Sequence, residues 1–401
     1  MKTAAVIAEF NPFHNGHEYI LGQARKRTGA DNIIVLMSGD FVQRGQPAIV
    51  DRHTRASMAL ECGADMVINY PVRFCTSSAE PFAYHAVKII DSLGFVDHLV
   101  FGCECDDAEK LERAADILLS PDFLENDRMK EYLKKGMSYP AARAKLYPEL
   151  ESLLRMPNNI LAVEYIKALK RIGSEMKICN VNRNSGVGIL DQANISRFSG
   201  GYELRCALMR LSVSEALKKD IPEKALEIIS ENIEKKGIVD TDDFSDILNF
   251  RILESVRKKV YPDTMDMNED IFNSVTESNP EDITFSGWAE CISSKNYTRT
   301  RIDRALLHFI LGIKDMDITE EDYYVQILGL NKNKKELTAA LKKNCTVPVI
   351  SKAADAERIL AGNALEIFRE DVFAADLYES VRCRKNPNSF HRELTKKIVL
   401  I

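Results

Sequence analysis

Two histidines three residues apart, in the stretch "FNPFHNGH", offer the most reactive chemistry near the start of this 401-residue chain. His14 and His17 bracket Asn15 and Gly16, directly after the apolar run Ala4 to Ala8 and at the start of a helical pattern. Gly16 removes a side chain where a ligand can approach the backbone closely. A helix beginning near His17 points unpaired N–H groups and a positive dipole end at the same place, which suits phosphate. Two imidazoles add ring N–H donors for charge that develops on phosphate oxygens during nucleotidyl transfer. The loop is not GxxxxGK[ST] and not GxGxxG.

The elements around this loop read as βαβ units. Strands are expected at Ala4 to Ala8, Ile33 to Met37, Met66 to Asn69, Val96 to Phe101 and Lys177 to Val181. Helices are expected at His17 to Arg27, Asp51 to Cys62 and Ala79 to Leu93, the last two followed closely by Gly63 and Gly94 as C-terminal stops. Such alternation predicts an α/β fold, a Rossmann-like, doubly wound parallel sheet. Ligands then bind beyond the C-terminal strand ends, where "FNPFHNGH" lies. Residues 106 to 156 read as charged helix, and another helix starts at Asn158-Asn159. The sheet domain is placed at residues 1–205. Residues 206–401 read as a mainly α-helical C-terminal domain, with a small sheet from "YYVQILGL", "TVPVIS" and "KKIVLI".

Hydrophobic residues make up 45% and charged residues 28%, as in ordinary globular proteins. No apolar run is long enough to span a bilayer, and MKTAAVIAEFNP lacks the pattern of a signal peptide. The nine cysteines contain no CxxC, and Cys103 and Cys105 are too close for a zinc half-site. A cytoplasmic protein with reduced thiols is expected. A net charge of -6 argues against nonspecific coating of nucleic acid, while leaving room for a local basic face.

His14-Asn15-Gly16-His17 resembles the HxGH signature of the nucleotidyltransferase superfamily that includes class I aminoacyl-tRNA synthetases. More narrowly, "EFNPFHNGH", "MSGDFVQRGQPAIVDRHTRA", "GADMVINYP", "SSAEPFAYHAV", "FGCE", "PNNILAVEYIKALKR" and "YTRTRIDRALLHFILGI" resemble the tRNA(Met) cytidine acetate ligase family. The resemblance implies that ATP, entering with Mg²⁺, activates acetate as acetyl adenylate. The acetyl group then passes to N4 of the wobble cytidine of elongator tRNA(Met), giving N4-acetylcytidine.

The resemblance also implies site residues. ATP would be held by Ile7, Ala8, Glu9, Phe10, Asn11, Pro12, Phe13, His14, Asn15, Gly16, His17, Glu18, Tyr19 and Ile20, with His14 and His17 on the phosphates. Gly102 would leave room for adenosine, Asn158 or Asn159 would contact the nucleotide, and Arg183 would supply a fixed cation. In the loop after the second strand, Asp40 would orient or deprotonate the acceptor amine, and Arg44 would bind acetate or phosphate. In "SGGYELR", Glu203, Leu204 and Arg205 align with a phosphate motif of related nucleotidyltransferases. The chain departs from the family at Asn69 and Tyr70, where an acidic residue before Leu-Pro is expected, and in "GVGILD" after Arg183.

Two basic clusters offer an RNA surface: Lys295, Arg299, Arg301 and Arg304 around Tyr297, and Arg382, Arg384, Lys385, Arg392, Lys396 and Lys397 near Phe390. No carboxylate cluster marks a metal site. Two rival readings share parts of this pattern. One is a small-molecule adenylyltransferase of the pantetheine-phosphate or nicotinate-mononucleotide type. The other is a tRNA-binding protein with a vestigial nucleotide site.

Overall fold

The computed structural model describes residues 1–135, 137, 139–182, 201–210 and 219–401. Its strands are β1 (Thr3–Ala8), β2 (Asn32–Ser38), β3 (Phe41–Val42), β4 (Gln46–Pro47), β5 (Met66–Tyr70), β6 (His98–Cys103), β7 (Lys177–Asn182), β8 (Val325–Leu330), β9 (Val349–Ile350) and β10 (Val399–Leu400). The helices that matter for the site are α1 (Asn15–Thr28), α2 (Arg52–Glu61), α3 (Ala79–Asp91), α4 (Pro157–Ile172), α5 (Ser245–Lys258), α6 (Arg299–Leu311) and α7 (Gly362–Lys385).

The main sheet runs β10-β8-β5-β2-β1-β6-β7, with β9 beside β8. β1 pairs in parallel with both β2 and β6. The chain therefore winds outward in two directions from β1, and this reversal opens a crevice at the strand C-termini. Both sheet faces are covered. Along β1 and β2, Ala5, Ile34 and Leu36 pack into one core, while Ala4, Val6, Ile33 and Val35 pack into the other. This alternation explains why the strands read as continuous apolar runs.

The late strands differ from expectation. β8, β9 and β10 make no sheet of their own but extend the first sheet, with β8 antiparallel to β5. The fold is thus a mainly parallel, mixed α/β sheet. The pairing of β8 joins segments more than 250 residues apart, and such a partner is not encoded in local periodicity. A third core, including Phe244, Trp288, Phe309 and Tyr378, ties the helical half to Phe41 and Val72 near the sheet edge. Among the described residues no helix is long and apolar enough to cross a membrane.

Candidate active site

The loop between β1 and α1 is built on aromatic packing. Phe10 and Phe13 are buried, and the Phe10 ring meets the His17 ring edge-on at 4.9 Å between centroids. Phe10 adopts φ 50°, a left-handed conformation uncommon for a bulky residue. Asn11 locks the loop to the next one: its Oδ1 accepts from the Ile49 N–H at 2.8 Å.

His14 and His17 cap α1 reciprocally. The His14 Nδ1 accepts from the Gly16 N–H at 3.0 Å, and the His17 Nδ1 accepts from the His14 N–H at 3.2 Å. The rings stack with centroids 3.6 Å apart. An Nδ1 that accepts carries no proton, so each neutral ring holds its hydrogen on Nε2. The cap thereby fixes both tautomers as Nε2–H donors. Orphan backbone donors at this helix end are satisfied in the same stroke.

A cavity of about 530 Å³ opens beside this turn. Its walls come from the end of β1 (Val6 to Phe10), from His17 and Ile20, from Phe101 and Gly102, and from Asn158, Leu161 and Tyr165 of α4. Ser78, Ala79 and Phe82 enter from the start of α3, and Gln43 and Arg44 from the β3–β4 hairpin. Thr300 and Arg304 of α6 complete the lining from the helical half. Apolar walls with a few directed polar groups suit a nucleotide-sized ligand.

Asn158 and Asn159 occupy different surroundings at the start of α4. Asn158 lines the cavity and donates from Nδ2 to Glu104 Oε1 at 2.7 Å. Asn159 is buried and braces the loop after β6, its Oδ1 accepting from the backbone N–H groups of Glu104 and Cys105. Glu104 itself accepts from the Asn159 N–H at 3.0 Å, an anion at a helix N-terminus.

Glu9 meets the cavity at the tip of β1, and its carboxylate accepts from the Gln43 N–H at 2.9 Å. Burial pushes its pKa up, against the pull of that N–H and of Arg44, Arg55 and Arg205. Arg55, fully buried, donates to the carbonyls of Glu9 at 2.7 Å and Ser38 at 3.0 Å. It pins the ends of β1 and β2 together, and so fixes the floor on which the loop stands.

Asp40 has a different setting from the one expected. It is buried off the cavity wall, where its Oδ1 accepts from the Arg52 N–H at 2.7 Å and its Oδ2 lies 3.4 Å from Arg52 Nε. Arg52 also pairs with Asp371 of α7 and with Glu393. Burial pushes the Asp40 pKa up, opposed by Arg52, Lys396 and Arg55. Asn69 belongs to the same cluster, its Nδ2 donating to Asp371 Oδ2 at 2.9 Å. The departure at Asn69 thus stands beside an acidic residue supplied by α7.

Other expected residues are distributed as follows. Arg183 lies outside the described residues, as does the "GVGILD" stretch. Arg205 is buried and donates to Pro47 O at 2.8 Å, to Asn11 Oδ1 and to Asp240. Arg299 pairs with Asp303, Arg384 with Asp246 and Lys385 with Asp243. The Arg301 guanidinium lies over the Tyr297 ring at 5.0 Å. Arg304 departs from its basic cluster: it is only 8% exposed, pairs with Asp266 at 2.9 Å and lines the cavity. Thr300 also lines the cavity, a position that the sequence pattern does not single out. Its i, i+4 spacing from Arg304 is the signal that places both on one helix face.

Comparison with known proteins adds to this geometry. The family profile described as HIGH Nucleotidyl Transferase matches residues 1–393. The chain is 36% identical over 387 residues to the tRNA(Met) cytidine acetate ligase of Thermoanaerobacter sp. (strain X514), covering 94% of this chain and 95% of that one. It is 31% identical over 427 residues to the protein of that name from Acetivibrio thermocellus, covering 100% of both. A crystal structure of Thermotoga maritima TmcAL bound with alpha-thio ATP superposes with a TM-score of 0.88 at 28% identity, covering 100% of both chains.

Proposed function

Because the chain belongs to the HIGH nucleotidyl transferases and, within them, to the tRNA(Met) cytidine acetate ligase family, we propose that it is an ATP-dependent ligase acetylating elongator tRNA(Met). It activates acetate as acetyl adenylate and transfers the acetyl group to N4 of the wobble cytidine. The observation that carries this reading is the reciprocal His14–His17 cap at the α1 N-terminus, whose His17 ring lines a nucleotide-sized cavity.

In the first half-reaction a carboxylate oxygen of acetate attacks the α-phosphorus of ATP. The bond from that phosphorus to the bridging oxygen breaks, and pyrophosphate leaves. His17, with the His14 ring stacked against it, and the positive end of the α1 dipole face the negative charge that gathers on the phosphates. Gly102 and Asn158 hold the nucleoside end. In the second half-reaction the cytidine amine attacks the acetyl carbonyl, AMP leaves, and the amine loses one proton.

Mg²⁺ enters on the ATP phosphates. Among the described residues no group of three or more His, Cys, Asp or Glu side chains could hold a metal ion. The tRNA is carried through Arg299, Arg301, Arg384 and Lys385, and the protein acts in the cytoplasm.

The test is nucleoside mass spectrometry of elongator tRNA(Met) incubated with the protein, ATP and labelled acetate. Labelled N4-acetylcytidine that disappears without ATP is the expected result. ATP bound with no acetylated nucleoside formed would favour a small-molecule adenylyltransferase instead.

A further inference from the structure

Helix α6 is buried from Ile302 to Leu311, yet it carries Asp303, Arg304 and His308. Buried charge is costly unless it is paired or used. Asp303 is paired with Arg299 at the exposed end of the helix. Arg304 presents a different case. Its Nε is held by Asp266 Oδ2 at 2.9 Å, and among the described residues the two Nη groups make no hydrogen bond. Thr300 and Arg304, one turn apart, both line the cavity that His17, Gly102 and Asn158 line from the sheet.

The support for Arg304 is itself built. Asp266 sits at φ 61°, a left-handed conformation that costs energy in most residues. Its Oδ2 lies 3.6 Å from His308 Nδ1 as well, and the His308 Nε2 is 2.9 Å from Thr76 Oγ1. Thr76 lies two residues before Ser78, which lines the cavity. The acid that holds the guanidinium is therefore itself flanked by a fully buried imidazole.

We propose that Arg304, positioned by Asp266, is the cation that the helical half supplies to the adenylation cavity, where it binds an oxyanion of the first half-reaction. Two oxyanions meet there, the acetate carboxylate and the α-phosphate it attacks. This assignment rests on the acetate-activation reading above. It removes Arg304 from the RNA surface, since a residue 8% exposed offers little area to a polynucleotide backbone.

The experiment is acetate-dependent exchange of labelled pyrophosphate into ATP, without RNA, in the wild-type chain and in Arg304→Gln, Arg304→Lys and Asp266→Asn. Arg304→Gln is expected to lower exchange by about a hundredfold, the scale of losing one donor to developing charge. Arg304→Lys keeps the charge without the fork and should retain part of the activity. Asp266→Asn should shift the same Michaelis constant by a smaller factor. A raised KM for acetate at constant KM for ATP assigns Arg304 to the carboxylate; the reverse assigns it to the phosphate.

Exchange within about twofold of wild type in Arg304→Gln, with a raised KM for tRNA in full acetylation, would overturn the proposal and return Arg304 to the RNA. A lowered melting temperature in Arg304→Lys, with both Michaelis constants unchanged, would overturn it in favour of a purely structural pair with Asp266. A wild-type chain that exchanges no pyrophosphate with acetate would overturn the acetate reading itself, before any variant is compared.

Discussion

Gly45, at the tip of the β3–β4 hairpin, lies directly against the backbone of Arg304. A Cβ at Gly45 would come within 2.5 Å of the Arg304 backbone nitrogen, and Gly45 has φ +75°. The hairpin that brings Gln43 and Arg44 to the cavity is thus seated on the helix that brings Arg304.

Gly45→Ala should therefore both strain the turn and push the hairpin off α6. A loss of about 2 kcal/mol is expected, from the left-handed backbone and the clash together. Urea unfolding measures it. An unchanged midpoint would mean that the hairpin is not seated as described.

His17→Ala removes a cavity donor and half of the cap. The kcat for acetylation should fall by about a hundredfold or more, and stability by about 1 kcal/mol. His14→Asn keeps a capping side chain and should melt close to wild type while still losing activity. Full turnover in both variants would dismiss the imidazole pair from the chemistry.

Asp40→Asn is expected to act on stability. Breaking one partner from a buried ion cluster costs about 3–5 kcal/mol, so the melting temperature should drop sharply while turnover per folded molecule survives. A variant that melts normally and fails only in acetyl transfer would restore Asp40 as the base for the amine.

Arg301→Ala, Arg384→Ala and Lys385→Ala should weaken tRNA binding without changing RNA-free pyrophosphate exchange. Removing one cation from the RNA phosphates should flatten the log–log salt dependence of binding by about one unit. Filter binding across a salt series reads this directly, and identical slopes would place the tRNA elsewhere.

His308 makes stability depend on pH. Burial, with Arg304 and Arg73, lowers its pKa from 6.5 to about 4, although Asp266 and the Met265 carbonyl pull the other way. The unfolded chain therefore binds this proton first. Stability is complete above about pH 6.5 and falls as the pH drops toward about 4, by about 3 kcal/mol in all from this one group. Replacing His308 with Gln should flatten that slope in urea titrations between pH 7 and pH 5. Parallel slopes would contradict the assignment.

The part of the site carried by β1 and α1 is legible in the sequence because everything needed there is local. An apolar run, a turn with Gly16 and a helix start fix where His14 and His17 stand. Asn158 is legible only as one of two neighbours, since helical phase decides which asparagine faces the cavity. Asp40 misleads because a polar loop residue at a sheet edge reads the same whether it meets ligand or Arg52. Arg52 in turn is held by Asp371, 319 positions away. Arg304 misleads for a similar reason: a run of arginines reads as surface until the helix carrying it is known to be buried.

The pairing of β8 with β5 bears on how the protein comes into being. β5 forms from residues 66–70, but its neighbour on that side arrives only with residues 325–330, and β10 only with 399–400. During synthesis an unpaired, apolar strand edge stays open for some 250 residues, the kind of edge that recruits other chains. The same closure carries the Asp371–Arg52 pair, so the nucleotide half is finished by the segment that follows the helical half. A fragment ending near residue 205 would expose that edge permanently, and its failure to stay monomeric would say nothing about the chemistry of His14 and His17.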